Sequence, residues 1–280
     1  MDIKKKPIVT ILGSSSEIGL SLAKKYYEKN CELNLSYRGK KNKEKIINKL
    51  NILNEKEKVK LFELDILKEK NILKFIKKNK KILEKTNILI LTFAEQGQID
   101  NFFKLNTKKF YKTLYINFFS YVIFFQNLST IFKKKTKKLI ILFSGGGSVS
   151  YRKNFFPYSL SKLCLIKLTE ILNQEIQNKH IRFNILSPGI IFSNMTKKVL
   201  KCKDKISKEE YKKLILNLKN SQKNINKIYD TINFLYSPKG DKIRGKIISS
   251  AWDGILKFKK NKIKRLINSN IYTISRKEFN

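Results

Sequence analysis

Tyr158 and Lys162, spaced as Tyr158-Ser159-Leu160-Ser161-Lys162, are the first pair in this chain whose types and separation point to chemistry. Positions four apart share one face of a helix, so a phenol and an ammonium would enter the same space. A lysine cation there favours phenolate and draws the tyrosine pKa toward neutrality, as a general acid/base requires. In so lysine-rich a chain the spacing also arises by chance. Ser144 stands fourteen residues before Tyr158, at the end of an apolar run, and Gly145, Gly146 and Gly147 follow it. A hydroxyl there is placed to hydrogen-bond a carbonyl near Tyr158, and the glycines let backbone pass close to a substrate. The bland alternative is a flexible turn. Ser148 is the second candidate hydroxyl; Ser144 is preferred because the strand ends there.

A second feature lies near the start, at Gly13-Ser14-Ser15-Ser16-Glu17-Ile18-Gly19. Glycine permits a tight turn, and a helix N-terminus offers free N–H groups to a pyrophosphate. The serines cap the helix or donate to phosphate oxygens. The same residues read equally as a plain capped helix.

These features need a scaffold, and the first 195 residues supply one by alternating strands and helices. Short apolar strands are expected at Lys6 to Leu12, Glu32 to Tyr37, Val59 to Leu64, Asn87 to Phe93, Leu139 to Phe143 and Arg182 to Leu186. Helical stretches fall between them: Glu17 to Lys29, Asn42 to Leu53, Lys68 to Glu84, an aromatic-rich run from Thr107 to Phe132, and Tyr158 to Gln177. Six such strands separated by helix-length segments imply an α/β fold. It is a single doubly wound, Rossmann-type parallel sheet with helices on both faces. Residues 1–256 read as one catalytic domain, within which the charged stretch 195–226 follows the sixth strand. Ligands of open α/β sheets sit beyond the carboxyl ends of the strands, so 195–226 is the expected substrate lid. Residues 257–280 form a basic C-terminal extension, either docked or a mobile tail.

Composition narrows the rest. The formal net charge of +39 raises the question of nucleic acid, yet only Arg38, Arg152, Arg182, Arg244, Arg265 and Arg276 among 61 basic residues are arginine. A nucleic-acid surface favours clustered bases with arginine prominent. Here lysine is scattered over nearly every helix while alanine falls to Ala23, Ala94 and Ala251, the skew of an A/T-rich coding bias on permissive surface positions. No specific nucleic-acid partner is expected. Cys31, Cys164 and Cys202 are far apart and read as reduced thiols, with no metal site, and the lone His180 beside a helix end reads as capping or solvent-facing. No stretch approaches the roughly 20 apolar residues of a membrane helix, and the N-terminus shows no signal-peptide pattern. A cytoplasmic address is the default expectation.

Taken in order, these motifs resemble the short-chain dehydrogenase/reductase family over residues 6 to 254. The family's glycine motif resembles the stretch from Leu12 to Gly19, with cofactor contacts implied for Gly13, Ser15, Ser16, Ile18 and Gly19. Asp65, after the third strand, resembles the adenine-contacting aspartate, with Ile66 beside it. Asn117 in Tyr-Ile-Asn-Phe resembles the active-site asparagine, implied to position a water that extends a proton path to Lys162. Ser144, Tyr158 and Lys162 match the catalytic serine, tyrosine and lysine. Pro188-Gly189 follows the sixth strand, with Ile191 and Ser193 where the family contacts the nicotinamide amide. Glu17 replaces a glycine of the phosphate turn. The family's NNAG is reduced to Thr92-Phe93-Ala94-Glu95, which leaves Ala94 as the backbone contact near the ribose.

The resemblance implies hydride transfer between nicotinamide and a small-molecule carbonyl or secondary alcohol, with Tyr158 moving the proton and Lys162 also binding the nicotinamide ribose. Ser36-Tyr37-Arg38-Gly39-Lys40 holds no acid after the second strand, and Arg38 suits a 2′-phosphate, so NADP is expected over NAD. Ile190, Phe192, Met195 and Leu200 give the lid an apolar character. A homodimer or homotetramer is implied by the resemblance alone. Two other readings stay open: a dinucleotide-binding protein of the same fold with impaired catalysis, and a nucleic-acid binder using its lysine surface.

Overall fold

The structure, a computed structural model, describes residues 6–52, 58–133 and 135–275. Its first βα unit shows how the sequence builds the sheet. Val9–Leu12 (β1) is VTIL, every residue buried, as a strand covered on both faces must be. It begins later than the expected Lys6, because Pro7 has no N–H to give to a ladder. Glu17–Glu28 (α1) starts at the Ser16 cap, whose hydroxyl accepts the Gly19 N–H. Leu33–Tyr37 (β2), Lys40–Leu50 (α2), Val59–Glu63 (β3), Glu69–Lys85 (α3) and Ile88–Leu91 (β4) continue the alternation. The α2 helix ends in Asn51 with φ 53°, a left-handed C-terminal residue; the expected end at Leu53 lies outside the described residues.

The expected long helix over 107–132 is interrupted. Thr107–Leu114 (α4) runs into a π turn at Tyr115–Phe119, then Ser120–Gln126 (α5) and Ser129–Phe132 (α6). In the π turn the Ser120 N–H donates to the Tyr115 carbonyl, five residues back, so one extra residue is accommodated and Ile116 and Asn117 both become buried. Lys138–Phe143 (β5), Phe156–Glu175 (α7) and Ile181–Ser187 (β6) follow.

Among the described residues seven strands form one sheet in the order β3-β2-β1-β4-β5-β6-β7, with Ile247–Ser249 as β7. Every pairing is parallel. Leu20, Ala23 and Ile46 pack one face of the sheet, and Ile72, Phe75, Phe124 and Ile166 the other. Each such leucine, isoleucine or phenylalanine contributes roughly 1.5–3 kcal/mol by leaving water. The doubly wound fold is therefore as the strand pattern implied.

The segment after β6 divides by packing. Asn194–Lys201 (α8) and Lys208–Leu218 (α9) form a small core of their own, in which Val199, Ile206 and Leu214 meet Ile99 and Phe155. Ser221–Tyr236 (α10) begins inside the stretch 195–226 but belongs to the sheet core through Ile225, Ile228 and Ile232. The basic C-terminal extension is docked as far as residue 275. Leu266 of Lys260–Ile267 (α11) is buried in the main core, and the Ile247 N–H donates to the Tyr272 carbonyl at 2.7 Å. The chain thus covers the outer edge of β7 with its own backbone. Residues 276–280 lie outside the described residues.

Candidate active site

Strand order reverses between β1 and β4, and a cavity of about 960 Å³ opens there at the carboxyl ends of the strands. The turn after β1 forms its first wall. Gly13 has φ +84°, and a methyl group on it would lie 2.9 Å from the Phe93 nitrogen, so this position needs glycine. Its N–H donates to the Ser36 hydroxyl at 2.8 Å, and the Ser14 N–H to the Ser36 carbonyl at 3.0 Å. The Ser16 hydroxyl donates to Thr92 at 2.9 Å, and the Thr92 hydroxyl donates to the Gly13 carbonyl at 2.8 Å. The turn is thereby fixed to β2 and β4.

Gly13, Ser15, Ser16, Glu17 and Ile18 line the cavity. The first N–H groups of a helix have no intrahelical acceptor, so α1 presents donors and a partial positive charge here. A pyrophosphate fits that donor set. Gly19 stands behind the wall: a methyl there would meet the Gly13 carbonyl at 2.8 Å. Arg38 and Lys45 continue the wall, Lys45 anchored through its ammonium to the Ser15 carbonyl at 2.9 Å. Asp65 does not line the cavity. Its carboxylate accepts from the Leu67 N–H at 3.1 Å and lies 4.0 Å from the Arg38 guanidinium, while Ile66 does face the cavity. Ala94, Pro188, Gly189, Ile191 and Ser193 all line it as well. The Ser193 hydroxyl caps α8, accepting from the Thr196 N–H at 3.2 Å.

Deeper in, α7 carries Tyr158 and Lys162, both buried and both on the cavity wall beside Ser144, Gly145 and Gly146. The Tyr158 hydroxyl packs directly onto Gly145, where any side chain would overlap it. That close approach, rather than flexibility, is what the glycine run provides. Ser144 is held by its N–H, which donates to the Leu186 carbonyl at 2.9 Å. Ser148 drops out as the substrate hydroxyl, because it donates to the Gly145 carbonyl at 2.8 Å and does not line the cavity.

The electrostatics depart from the expectation of a lysine-lowered phenol. Burial pushes the Tyr158 pKa up to about 12, and the cation that opposes this is Arg152. Burial also pushes Lys162 down to about 7. Its ammonium donates to the Phe143 carbonyl at 2.9 Å and lies 5.8 Å from the Tyr158 ring centroid. Desolvation outweighs a lysine that itself carries only part of a charge near neutral pH.

Asn117 is fully buried and not on the cavity wall. Its amide accepts the Glu95 N–H at 2.8 Å and donates to the Glu95 carbonyl at 2.9 Å and to Ser161 at 3.0 Å. Both amide donors are thus engaged within the protein, and the side chain braces the segment after β4. Thr113 adds a bond to the Glu95 carboxylate at 2.8 Å. Glu95 is thus held to α4 and the π turn after it through both its backbone and its carboxylate.

Arg152 and Glu210 were not singled out from the sequence, and both line the cavity. Arg152 Nη2 lies 2.6 Å from Glu210 of α9 and its Nε donates to the same oxygen at 2.7 Å. The signal was arginine's scarcity: each of the few arginines kept in a lysine-biased chain merits attention.

The profile of the short chain dehydrogenase family matches residues 7–204. The chain belongs to that family of oxidoreductases. No curated protein sequence matches it. Among solved structures it is similar to levodione reductase (TM-score 0.74, 16% identity, covering 88% of this chain and 98% of that one). It is also similar to a variant of actinorhodin polyketide ketoreductase with NADPH (0.74, 15%, 89% and 97%) and to NAD+-bound xylitol dehydrogenase (0.74, 18%, 88% and 98%). At these identities the likeness is one of fold. Among the described residues no helix is long and apolar enough to cross a membrane.

Proposed function

We propose that this chain reduces a small-molecule carbonyl, or oxidises the matching secondary alcohol, with NADP as preferred cofactor. The observation that carries the reading is the convergence of Tyr158, Lys162 and Ser144 on one cavity wall, in the same cavity as the α1 N-terminus. When bound, the nicotinamide supplies or accepts the hydride. Tyr158, whose raised pKa keeps it protonated at neutral pH, gives its proton to the carbonyl oxygen. Ser144 donates a hydrogen bond to the same oxygen. Lys162, near pH 7 in its titration, holds a proton behind the phenol and is available to ribose hydroxyls. Helices α8 and α9 act as the substrate lid, and Asn117 is a positioning residue.

The NADP preference draws support from Arg38 and Lys45 on the adenosine side and from the lack of an acid after β2. Among the similar structures one holds NADPH and another NAD+, which leaves either dinucleotide within the fold's range. The test is Tyr158→Phe. Turnover of a carbonyl panel should fall at least about 1000-fold, equivalent to about 4 kcal/mol of barrier, while NADPH affinity by fluorescence titration stays within about threefold. Retained turnover would show that another group is the acid, and absent NADPH and NADH binding would remove the oxidoreductase reading.

A further inference from the structure

The cavity lining carries more positive charge than carbonyl reduction by itself requires. Arg152, Lys112, Lys197 and Lys213 belong to it, against the carboxylates of Glu95 and Glu210. Glu95 is engaged by Thr113 and Glu210 by Arg152. Three of the cations are lysines, and the Lys197 ammonium lies 5.0 Å from the Phe192 ring centroid. Arg152 is different, because its position is over-determined. Its guanidinium lies 3.4 Å from the Phe155 ring centroid, and Phe155 is fully buried in the lid core.

The way Arg152 spends its donors is informative. Arginine's planar fork usually meets both oxygens of a carboxylate. Here Nε and Nη2 converge on one oxygen of Glu210, and no hydrogen bond from Nη1 occurs among the described residues. Nη1 faces Gly146, where even an added methyl group would sit 3.8 Å away. Gly146 is the residue after Gly145, onto which the Tyr158 hydroxyl packs. A free edge of a pinned arginine therefore overlooks the floor of the cavity one residue from the proton donor. The same cation is the charge that acts on the Tyr158 phenol.

We propose that Arg152 selects a carbonyl substrate bearing an oxyanionic group, carboxylate or phosphate, which its Nη1 edge binds over Gly146 while Glu210 holds the guanidinium in place. The proposal rests on the oxidoreductase reading and deepens it to a substrate class. A charge-assisted bond from a preorganised, partly desolvated arginine is the term that separates an acid from its neutral isostere. The lysines add only a screened, long-range attraction.

The test is calorimetric binding to the NADPH-loaded protein, with turnover followed in parallel. The probes form two matched pairs: acetoacetate with ethyl acetoacetate, and dihydroxyacetone phosphate with dihydroxyacetone. The anionic member of at least one pair should bind at least tenfold more tightly than its neutral partner, and which pair does so tells carboxylate from phosphate. Arg152→Gln should reduce that preference to less than threefold, read as the affinity ratio within each pair so that any effect common to all four ligands cancels. Glu210→Gln should keep or strengthen the preference, because it removes a competing carboxylate; a residue serving only to latch the lid would instead weaken all four ligands. Equal affinity within both pairs in the wild-type protein, including no detectable binding of either member, overturns the proposal. Failure to bind NADPH or NADH would show instead that the underlying reading is wrong.

Discussion

The two walls of the cavity are built in different ways. The wall at the start of α1 is a turn tied to the sheet: Gly13 and Ser14 hydrogen-bond to β2, and Ser16 to Thr92 just after β4. The wall formed with α8 and α9 is side chains: these helices rest on a core of five buried residues, supplemented by ion pairs from Glu210 and Asp100. Backbone walls bind what every member of a family binds. A separate small core lets the other wall vary without disturbing the sheet, which suits the substrate-selecting role proposed for it.

The comparison is broken most directly at Phe155, fully buried between Arg152 and the lid residues Val199, Ile206 and Leu214. Phe155→Ala should cost about 3–5 kcal/mol at that contact. Amide exchange in α8 and α9 should then rise at least about 100-fold, with β4 and β5 unaffected. Equal acceleration in the strands would mean that the two cores are one cooperative unit.

On the other wall, Gly13→Ala forces a Cβ onto φ +84° and against the Phe93 nitrogen. The expected cost is about 2–4 kcal/mol in global stability, read from the urea midpoint, with NADPH affinity reduced at least about tenfold and lid exchange unchanged. The two variants should thus damage opposite walls.

This difference also decides what could be read from the chain alone. The strands were legible because a strand buried on both faces reads as an unbroken apolar run, as Leu139 to Phe143 does. Gly13 was legible from its place between an apolar run and a helix start, and Tyr158 and Lys162 from their spacing of four, although the partners that fix Gly13, Ser36 and Thr92, are 23 and 79 residues away. The contact of Arg152 with Glu210 spans 58 residues and has no periodicity to betray it, and abundant lysine hid the charge pattern. The π turn at Tyr115–Phe119 was hidden for another reason: one extra residue in a helical turn leaves the apolar pattern nearly intact. The spent amide of Asn117 followed from it.

Lys162 sharpens the comparison from the catalytic floor between the walls. Its pKa in the folded chain is about 7, against an ordinary 10.5, because burial penalises the ammonium. Between those values the unfolded chain binds more protons than the folded one, so this residue's contribution to stability rises with pH from 7 to 10.5. Below pH 7 the folded protein carries a buried charge at full cost. Lys162→Met should therefore stabilise the protein by on the order of 2 kcal/mol at pH 6.5, and the advantage should shrink steadily toward pH 10. Denaturant midpoints of the two proteins across that range provide the check, and a constant difference would place the lysine in water.

The smallest effect expected is at Lys205→Ala. Its ammonium meets Asp100 at 2.5 Å and depresses the Asp100 carboxyl below the usual range, which makes the pair look like the clasp of the lid. Both groups remain in contact with solvent, however, and exposed pairs of this kind contribute little once side-chain entropy and salt screening are counted. The same region is also joined by bonds the substitution does not touch: Asn154 donates to the Lys205 carbonyl at 2.7 Å, and Lys198 to the Gly97 carbonyl at 2.7 Å. Lys205→Ala should leave amide exchange in α8 and α9 at its wild-type rate, in low and high salt alike. If it instead loosens the lid as Phe155→Ala does, the wall that chooses the substrate is held by charge, and the five-residue core is a consequence of closure rather than its cause.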